Sequence, residues 1–477
     1  MRRVLLFISL FLIFPLSGHS DSHKKTHDGE TYPYGMLPAA AQLDDALFNY
    51  ARWKKRFIAQ EDGIARVRWV NPEQTTSRGI GTGMLLAVNA DDPVVFDGLW
   101  SYYQRYSNDN GLMHAKIDIN AGVVSYNAVS AADIDACMAL IAATNQWPER
   151  REYYQSAAQK LLMAIRKHEI DSARFVLKPT DRSSASIIIS AEYFSPAYFN
   201  VFSKFSGEHE FWDAISKNCY SLLNQNLIRE KAIGGLISDR ISLDGAPVSA
   251  SGELFHDGKN YYYDAASIPF RVALDYLWTG NPMAKAYLDR CNEFVTRHLG
   301  GPENIVDGYT KHGIATGTVH NSSFVGPLAC AATTGYDAKY LDKIYMDLLA
   351  IDDEDSFYSQ SAKTLSLFLL NGAFRQPVEL SGMHEQGHHH ALSIENQDAY
   401  LASPNPFSGQ THIFLPEDPE SYPLEYSIVD ERGVLYESAR ISSPATPLII
   451  GKNLASGSYF IQLRYASLNK VVRLYKK

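Results

Sequence analysis

From about residue 40 to residue 372, apolar positions recur every three to four residues, the period of helices with one buried face. Leu43, Leu47, Tyr50 and Ala51 share one face of a first helix, and Phe96, Leu99, Tyr103 and Tyr106 one face of the next. Further helical patterns fall near 132–146, 152–168, 208–224, 265–280, 283–298, 337–350 and 357–371. Asn281-Pro282 and Gly300-Gly301-Pro302 punctuate them. The series predicts one large all-α domain. Residues 226–262 interrupt it with a Gly-, Ser- and Asp-rich excursion, the kind of loop that carries function. At about residue 376 the character changes, and residues 376–398 are polar, His-rich and read as a linker. Short β runs follow at 411–415, 424–429, 447–450, 459–465 and 470–475, divided by Glu431-Arg432-Gly433 and Ser456-Gly457-Ser458. They predict a small all-β sandwich over 399–477.

The first 20 residues follow a different rule. Arg2 and Arg3 precede an apolar run from Val4 to Leu16, then the small residues of Ser17-Gly18-His19-Ser20. This is the layout of a secretory signal peptide, too short to span a membrane as a helix, and no later segment could span. The mature chain is therefore expected outside the cytoplasm. The net charge of −9 of the full 477-residue chain argues against nucleic acid as the main partner and leaves uncharged polysaccharides open. The 29 tyrosines suit sugar stacking as well as a core. Cys137, Cys219, Cys291 and Cys330 lie far apart in apolar stretches and read as buried thiols, although spacing alone does not exclude disulfides. His384-Glu385-Gln386-Gly387-His388 matches a zinc-peptidase pattern. It sits in the linker, contains a glycine and lacks a supporting helical pattern, so no metal centre and no cofactor are expected.

Ser77-Arg78-Gly79-Ile80-Gly81-Thr82-Gly83-Met84 resembles the opening signature of glycoside hydrolase family 8, usually Ser-Glu-Gly-x-Gly-Tyr-Gly-Met. Ordered matches continue along the helical region. They include Phe96-Asp97-Gly98-Leu99-Trp100, Asn110-Gly111-Leu112-Met113, Asp133-Ile134-Asp135, Ser195-Pro196-Ala197-Tyr198-Phe199, His320-Asn321-Ser322-Ser323-Phe324, and the block from Tyr263-Asp264-Ala265-Ala266-Ser267 to Arg271. The resemblance implies an (α/α)6 barrel over 29–375 with a glycan cleft across one end. It also implies hydrolysis, with inversion, of β-1,4-linked glycans such as cellulose, xylan or chitosan. Inversion needs one protonated carboxyl and one carboxylate, ~6.5–9.5 Å apart with a water between them.

The scaffold residues of these blocks hold while their chemistry is replaced. The family's general acid falls on Arg78, which stays charged and has no proton to give. Of the Asp-x-Asp region, the carboxylate that contacts substrate falls on Ala131, leaving Asp133 as a partial substitute or as a helix N-terminal residue. Asp264 keeps the place of the water-activating base in one subgroup, or serves as a structural hydrogen-bonding group, while the Arg three residues on becomes Ser267. Other subgroups place the base elsewhere, which makes Asp239, Asp244, Glu253 and Asp257 of the excursion candidates. Tyr198 lines the cleft or fills the core. The Trp that usually follows Leu112-Met113 is absent, with His114-Ala115 in its place. These substitutions point to a glycan-binding relative with impaired catalysis. Its alternative is an active inverting endo-glycanase with Asp264 as base and a non-standard acid; Glu73 is a weak candidate for that acid.

At the C-terminus, Ser403-Pro404-Asn405-Pro406-Phe407, Tyr426-Ser427-Ile428-Val429-Asp430, Gly457-Ser458-Tyr459 and the basic Lys476-Lys477 resemble the sorting domain of the type IX secretion system of Bacteroidetes. The resemblance implies export through the periplasm of a Gram-negative cell, with that secretion machinery as a partner, and a secreted or cell-surface destination.

Overall fold

The computed structural model describes residues 32–183, 188–249, 257–377, 402–403, 407–413, 423–430, 434–442, 448–465 and 468–477. The expected signal peptide, Glu253 and the His-Glu-x-x-His run lie outside the described residues. The chain divides into two compact units at Gly382/Met383.

The first unit is built from α1 (Leu43–Phe57), α2 (Ser77–Asn89), α3 (Pro93–Arg105), α4 (Ser130–Gln146), α5 (Arg151–His168), α6 (Pro196–Ser206) and α7 (His209–Arg229). The short α8 (Tyr263–Ala266), α9 (Ile268–Thr279), α10 (Pro282–Glu293), α11 (Ser322–Ala331), α12 (Ala338–Ala350) and α13 (Phe357–Leu370) complete it. Helices α2, α4, α6, α9, α11 and α13 pack in that order, and α13 returns to α2. Each is backed by an outer helix: α3 on α2, α5 on α4, α7 on α6, α10 on α9, α12 on α11 and α1 on α13. The result is a closed double ring, an (α/α)6 barrel.

Burial separates the two rings. An inner helix has neighbours on all sides and needs no polar face. In α2, Ser77 and every residue from Gly79 to Val88 are buried, and in α11 every residue from Ser322 to Cys330. Outer helices bury one stripe only, as with Tyr154, Ala158, Leu161 and Ile165 of α5. The stripe of α1 runs through Ala46, Tyr50, Trp53 and Phe57, so Ala51, expected inside, is exposed.

Helices α2, α6 and α11 were not expected from an amphipathic period: α2 and α11 are packed on nearly every side, and α6 is exposed only at Lys204 and Ser206 near its end. Their glycines and prolines read as breakers when they are packing devices. At Gly81 a Cβ would fall 2.6 Å from the Ala132 carbonyl oxygen, so the absence of a side chain sets the approach of α2 to α4. Gly81→Ala is expected to destabilise the fold by about 1–3 kcal/mol, the usual cost of overpacking. Unchanged urea denaturation of that variant would contradict the assignment.

The second unit contains an antiparallel sheet in the order Leu435–Ile441, Leu424–Asp430, Gly457–Tyr465, Leu468–Lys476, and a smaller one of Ala402–Ser403, Thr411–Ile413 and Leu448–Ile450. Ile413 and Ile450 of one sheet share a cluster with Leu424, Ile428, Ile461 and Leu474 of the other. The strand Leu435–Ile441 was not expected. It is a sheet edge, exposed along nearly its whole length, and shows no alternation. All four cysteines are buried free thiols. Among the described residues no helix is long and apolar enough to cross a membrane, and no cluster of metal-ligating side chains occurs.

Candidate active site

The inner helices present their first turns to one end of the barrel. A cavity of about 120 Å³ lies there, lined by Arg78, Tyr198, Asp264, Ser323 and Tyr358, from the starts of α2, α6, α8, α11 and α13, and by Asp135 and Arg271 from α4 and α9. Helix α2 begins where the chain leaves strand Gln74–Thr76. Thr76 Oγ1 accepts from the Gly79 amide (3.1 Å), and the Ser77 amide donates to the Ala115 carbonyl (3.0 Å). Arg78 is thereby fixed in the first turn. A helix N-terminus favours anions, so the guanidinium stands against the helix dipole as well as against partial burial.

Carboxylates compensate. Arg78 Nη1 pairs with Glu192, and lies 3.7 Å from Asp264 Oδ1. Glu192 sits on the turn Ala191–Tyr193 that leads into α6, its side chain only 6% exposed. The other Asp264 oxygen is taken by Arg240. Strand Ile188–Ser190 pairs with Arg240–Ser242, and Ser190 faces Arg240 across the ladder, which aims that guanidinium at Asp264 and the Ser190 hydroxyl. Asp239 Oδ1 accepts the amides of Tyr262 and Ala265, both at 2.9 Å, and so holds the start of α8.

These contacts set the charge states. Burial opposes the Arg78 charge, but Glu192 and then Asp264 outweigh it and raise the pKa. Burial pushes the Glu192 carboxyl above its ordinary range, with Arg78 the chief opposing influence. Burial, and next the Asp264 charge, raise Asp239 to about 8, so it is mostly protonated at neutral pH. Beside the quartet of Arg78, Glu192, Asp264 and Arg240, Arg271 binds Asp135 through two nitrogens (2.9 and 3.1 Å) and donates to Ser195 Oγ (2.8 Å). The Tyr198 ring lies 5.5 Å from the Arg271 guanidinium carbon.

The structure thus brings Arg78, Asp264, Ser267 and Tyr198 together at the cavity. Tyr198 is buried and also lines it, and its hydroxyl has no hydrogen-bond partner among the described residues. Ser267 Oγ donates to the Asp264 carbonyl (2.7 Å), so the guanidiniums at Asp264 come from Arg78 and Arg240. Ala131 is buried in the first turn of α4. Asp133 is not among the residues that line the cavity, which corrects its candidacy. It is wholly buried, accepts from the Tyr103 hydroxyl and faces Glu169. It does stand in the first turn of α4, as the helix N-terminal reading has it, although the N-cap itself is Val129. Asp244 and Asp257 are exposed in local turns, and Glu73 is exposed on the loop before α2.

Sequence reasoning missed Glu192 and Arg240. Glu192 did leave a signal, a lone charge in the run Ile187-Ile188-Ile189-Ser190-Ala191-Glu192-Tyr193-Phe194. An acid in such a run must find a partner or protonate. Arg240 left none, since it pairs across 24 residues of excursion.

Asp133 and Glu169 have a consequence of their own. Burial raises Asp133 to about 7 and lifts Glu169 well above its ordinary value, with Asp133 adding to the Glu169 shift. The folded chain therefore holds more protons here than the unfolded chain from about pH 4 up to the folded pKa values, and stability falls as pH rises through that window. Glu169→Gln is expected to keep more of its pH 5 melting temperature at pH 8 than wild type does. Parallel losses in the two proteins would exclude the pair as the cause.

A family model for glycosyl hydrolases family 8 matches residues 22–372. Endoglucanase A of Acetivibrio thermocellus is 33% identical over 369 residues, 74% of this chain and 75% of that protein. The β-glucanase of Niallia circulans is 24% identical over 395 residues, covering 78% and 96%. Among solved structures, the β-1,3-1,4-glucanase of Paenibacillus sp. X4 superposes with a TM-score of 0.68 at 22% identity, covering 72% of this chain and 96% of that one. With the closed ring of six helix pairs, the matched span and the level of identity place the chain in glycosyl hydrolase family 8.

Proposed function

We propose that this family 8 chain is an exported protein that binds β-1,4-linked glycan in the barrel cleft with little or no hydrolysis. One observation carries the reading: at the position of the family's acid stands Arg78, paired with both Glu192 and Asp264. A guanidinium cannot protonate a leaving oxygen, and loss of a general acid costs ~10²–10⁴ in rate. Asp264, the candidate base, has each oxygen beside a guanidinium, where a catalytic carboxylate must be open to water. Ala131 in place of a carboxylate weakens substrate polarisation further. The relatives' names support glucan, mixed-linkage glucan and xylan as the polymers to try. The half-exposed rings of Tyr263 and Tyr358 beside the cavity offer stacking surfaces to sugar.

Export is part of the proposal. The N-terminal signal pattern and the C-terminal β-sandwich, read as a type IX sorting domain, support a secreted or surface-held protein of a Gram-negative cell.

Product analysis on cellulose, xylan, mixed-linkage glucan and chitosan is the direct test. Wild type is expected to release no oligosaccharide above an enzyme-free control, yet to migrate more slowly in a native gel containing the polymer it binds. Turnover by wild type that Asp264→Asn abolishes would overturn this reading in favour of an active enzyme with Asp264 as base.

A further inference from the structure

We infer that Glu192 is the counter-charge on which Arg78 depends, and that the two form a lock on the acid position: a glutamate returned to residue 78 works only if Glu192 also gives up its charge. The inference rests on the reading of the cleft as acid-depleted and adds a second determinant of that state, away from the family's catalytic blocks.

The argument is electrostatic and local. The first turn of α2 contains no acidic residue of its own, so nothing on that helix neutralises Arg78. Asp264 is shared with Arg240, and Asp135 is engaged by both nitrogens of Arg271. Glu192 is the carboxylate left to pair closely with Arg78. Glu192 in turn is buried in an apolar run, and an ionised carboxylate there needs a cation. Arg78 is the cation paired with it and the strongest support of its charge, ahead of Arg240 and Arg271, so each charge of the pair sustains the other.

The lock follows when the pair is broken. With glutamate alone at residue 78, its carboxyl would stand against Glu192, with Asp264 nearby and Arg240 as the remaining cation of the quartet. Like charges at that separation cannot all ionise. The protonation pattern would then be shared over three carboxyls instead of one acid opposite one base. The change at residue 78 already frees Oδ1 of Asp264 from a guanidinium, and neutralising Glu192 then leaves residue 78 as a single acid opposite it. Glu192 is thus a positioning residue that acts through residue 78, and is not itself catalytic.

The test has two arms. Thermal unfolding of Arg78→Gln, Glu192→Gln and the double variant reads the pairing. Each single change is expected to lower the melting temperature by several degrees, and the double change to lower it by clearly less than the sum. Reducing-sugar release from soluble β-glucan reads the lock, with Arg78→Glu compared to Arg78→Glu/Glu192→Gln, both carrying Ala131→Asp. The variant with Glu192 neutralised is expected to turn over at least tenfold faster, with a pH profile governed by one acid. Additive melting shifts, equal rates, or no turnover in either variant would each overturn the lock. Wild-type turnover, by contrast, would refute the proposed function and leave the melting comparison to decide the pairing.

Discussion

A guanidinium in the first turn of a buried helix is the constraint around which this site is arranged. Arg78 cannot shed its proton, and its side chain is only 29% exposed, so the protein must bring carboxylates to it. Glu192 comes from the turn before α6 and Asp264 from α8. Arg240 then balances Asp264, and the Ser190–Arg240 ladder holds Arg240 in place. Asp239 fixes the start of α8 through two amides and stays largely protonated because it is buried and, next, because Asp264 beside it carries a charge. Four segments distant in sequence are tied together by one side chain's need for neutralisation.

The barrel makes such a convergence unavoidable. Six inner helices with nothing but neighbours around them turn their first turns to a common mouth, so whatever residues occupy those turns meet there. The charged residues that line the cavity come from that end of the barrel, while Leu85, Pro327 and Leu365 from further along α2, α11 and α13 line its deeper part. Substitution at the mouth changes chemistry without touching the walls, and close approaches such as Gly81 against Ala132 are insulated from it. That separation explains how family blocks retain their scaffold letters while their functional letters differ.

How much of this was legible depended on the kind of signal. Outer helices announced themselves by their stripes, and the motif blocks named Arg78, Asp264, Ser267 and Tyr198, which the fold does bring to one cavity. Inner helices α2 and α11 escaped because Gly79, Gly81, Gly83, Gly326 and Pro327 break up their apolar pattern, whereas α4, equally buried but without glycine or proline, was expected; the edge strand Leu435–Ile441 is exposed nearly throughout. Asp133 misled because sequence places it two residues from Asp135, whereas two helical steps turn it by about 200°. Asp135 faces Arg271 at the mouth and Asp133 faces Glu169 in the wall between α4 and the end of α5. Glu192 escaped because a partner is a three-dimensional fact, and its own neighbours in sequence say only that a partner must exist.

The two acidic clusters of the barrel show two solutions to one problem. Asp133 and Glu169 have no cation beside them among the described residues, so burial is met by keeping a proton, and the pair costs stability as pH rises. Glu192 and Asp264 have cations, so burial is met by ion pairing, which breaks if any one partner is removed. An inverting hydrolase needs neither solution at its centre: one carboxyl must hold a proton it can give away, and the other must stay ionised with water at hand. A mouth neutralised by guanidiniums satisfies the fold at the expense of that asymmetry. On the proposed reading, the stability of the quartet and the loss of catalysis are one physical fact, since the charges that would have to move a proton are held in balance by one another.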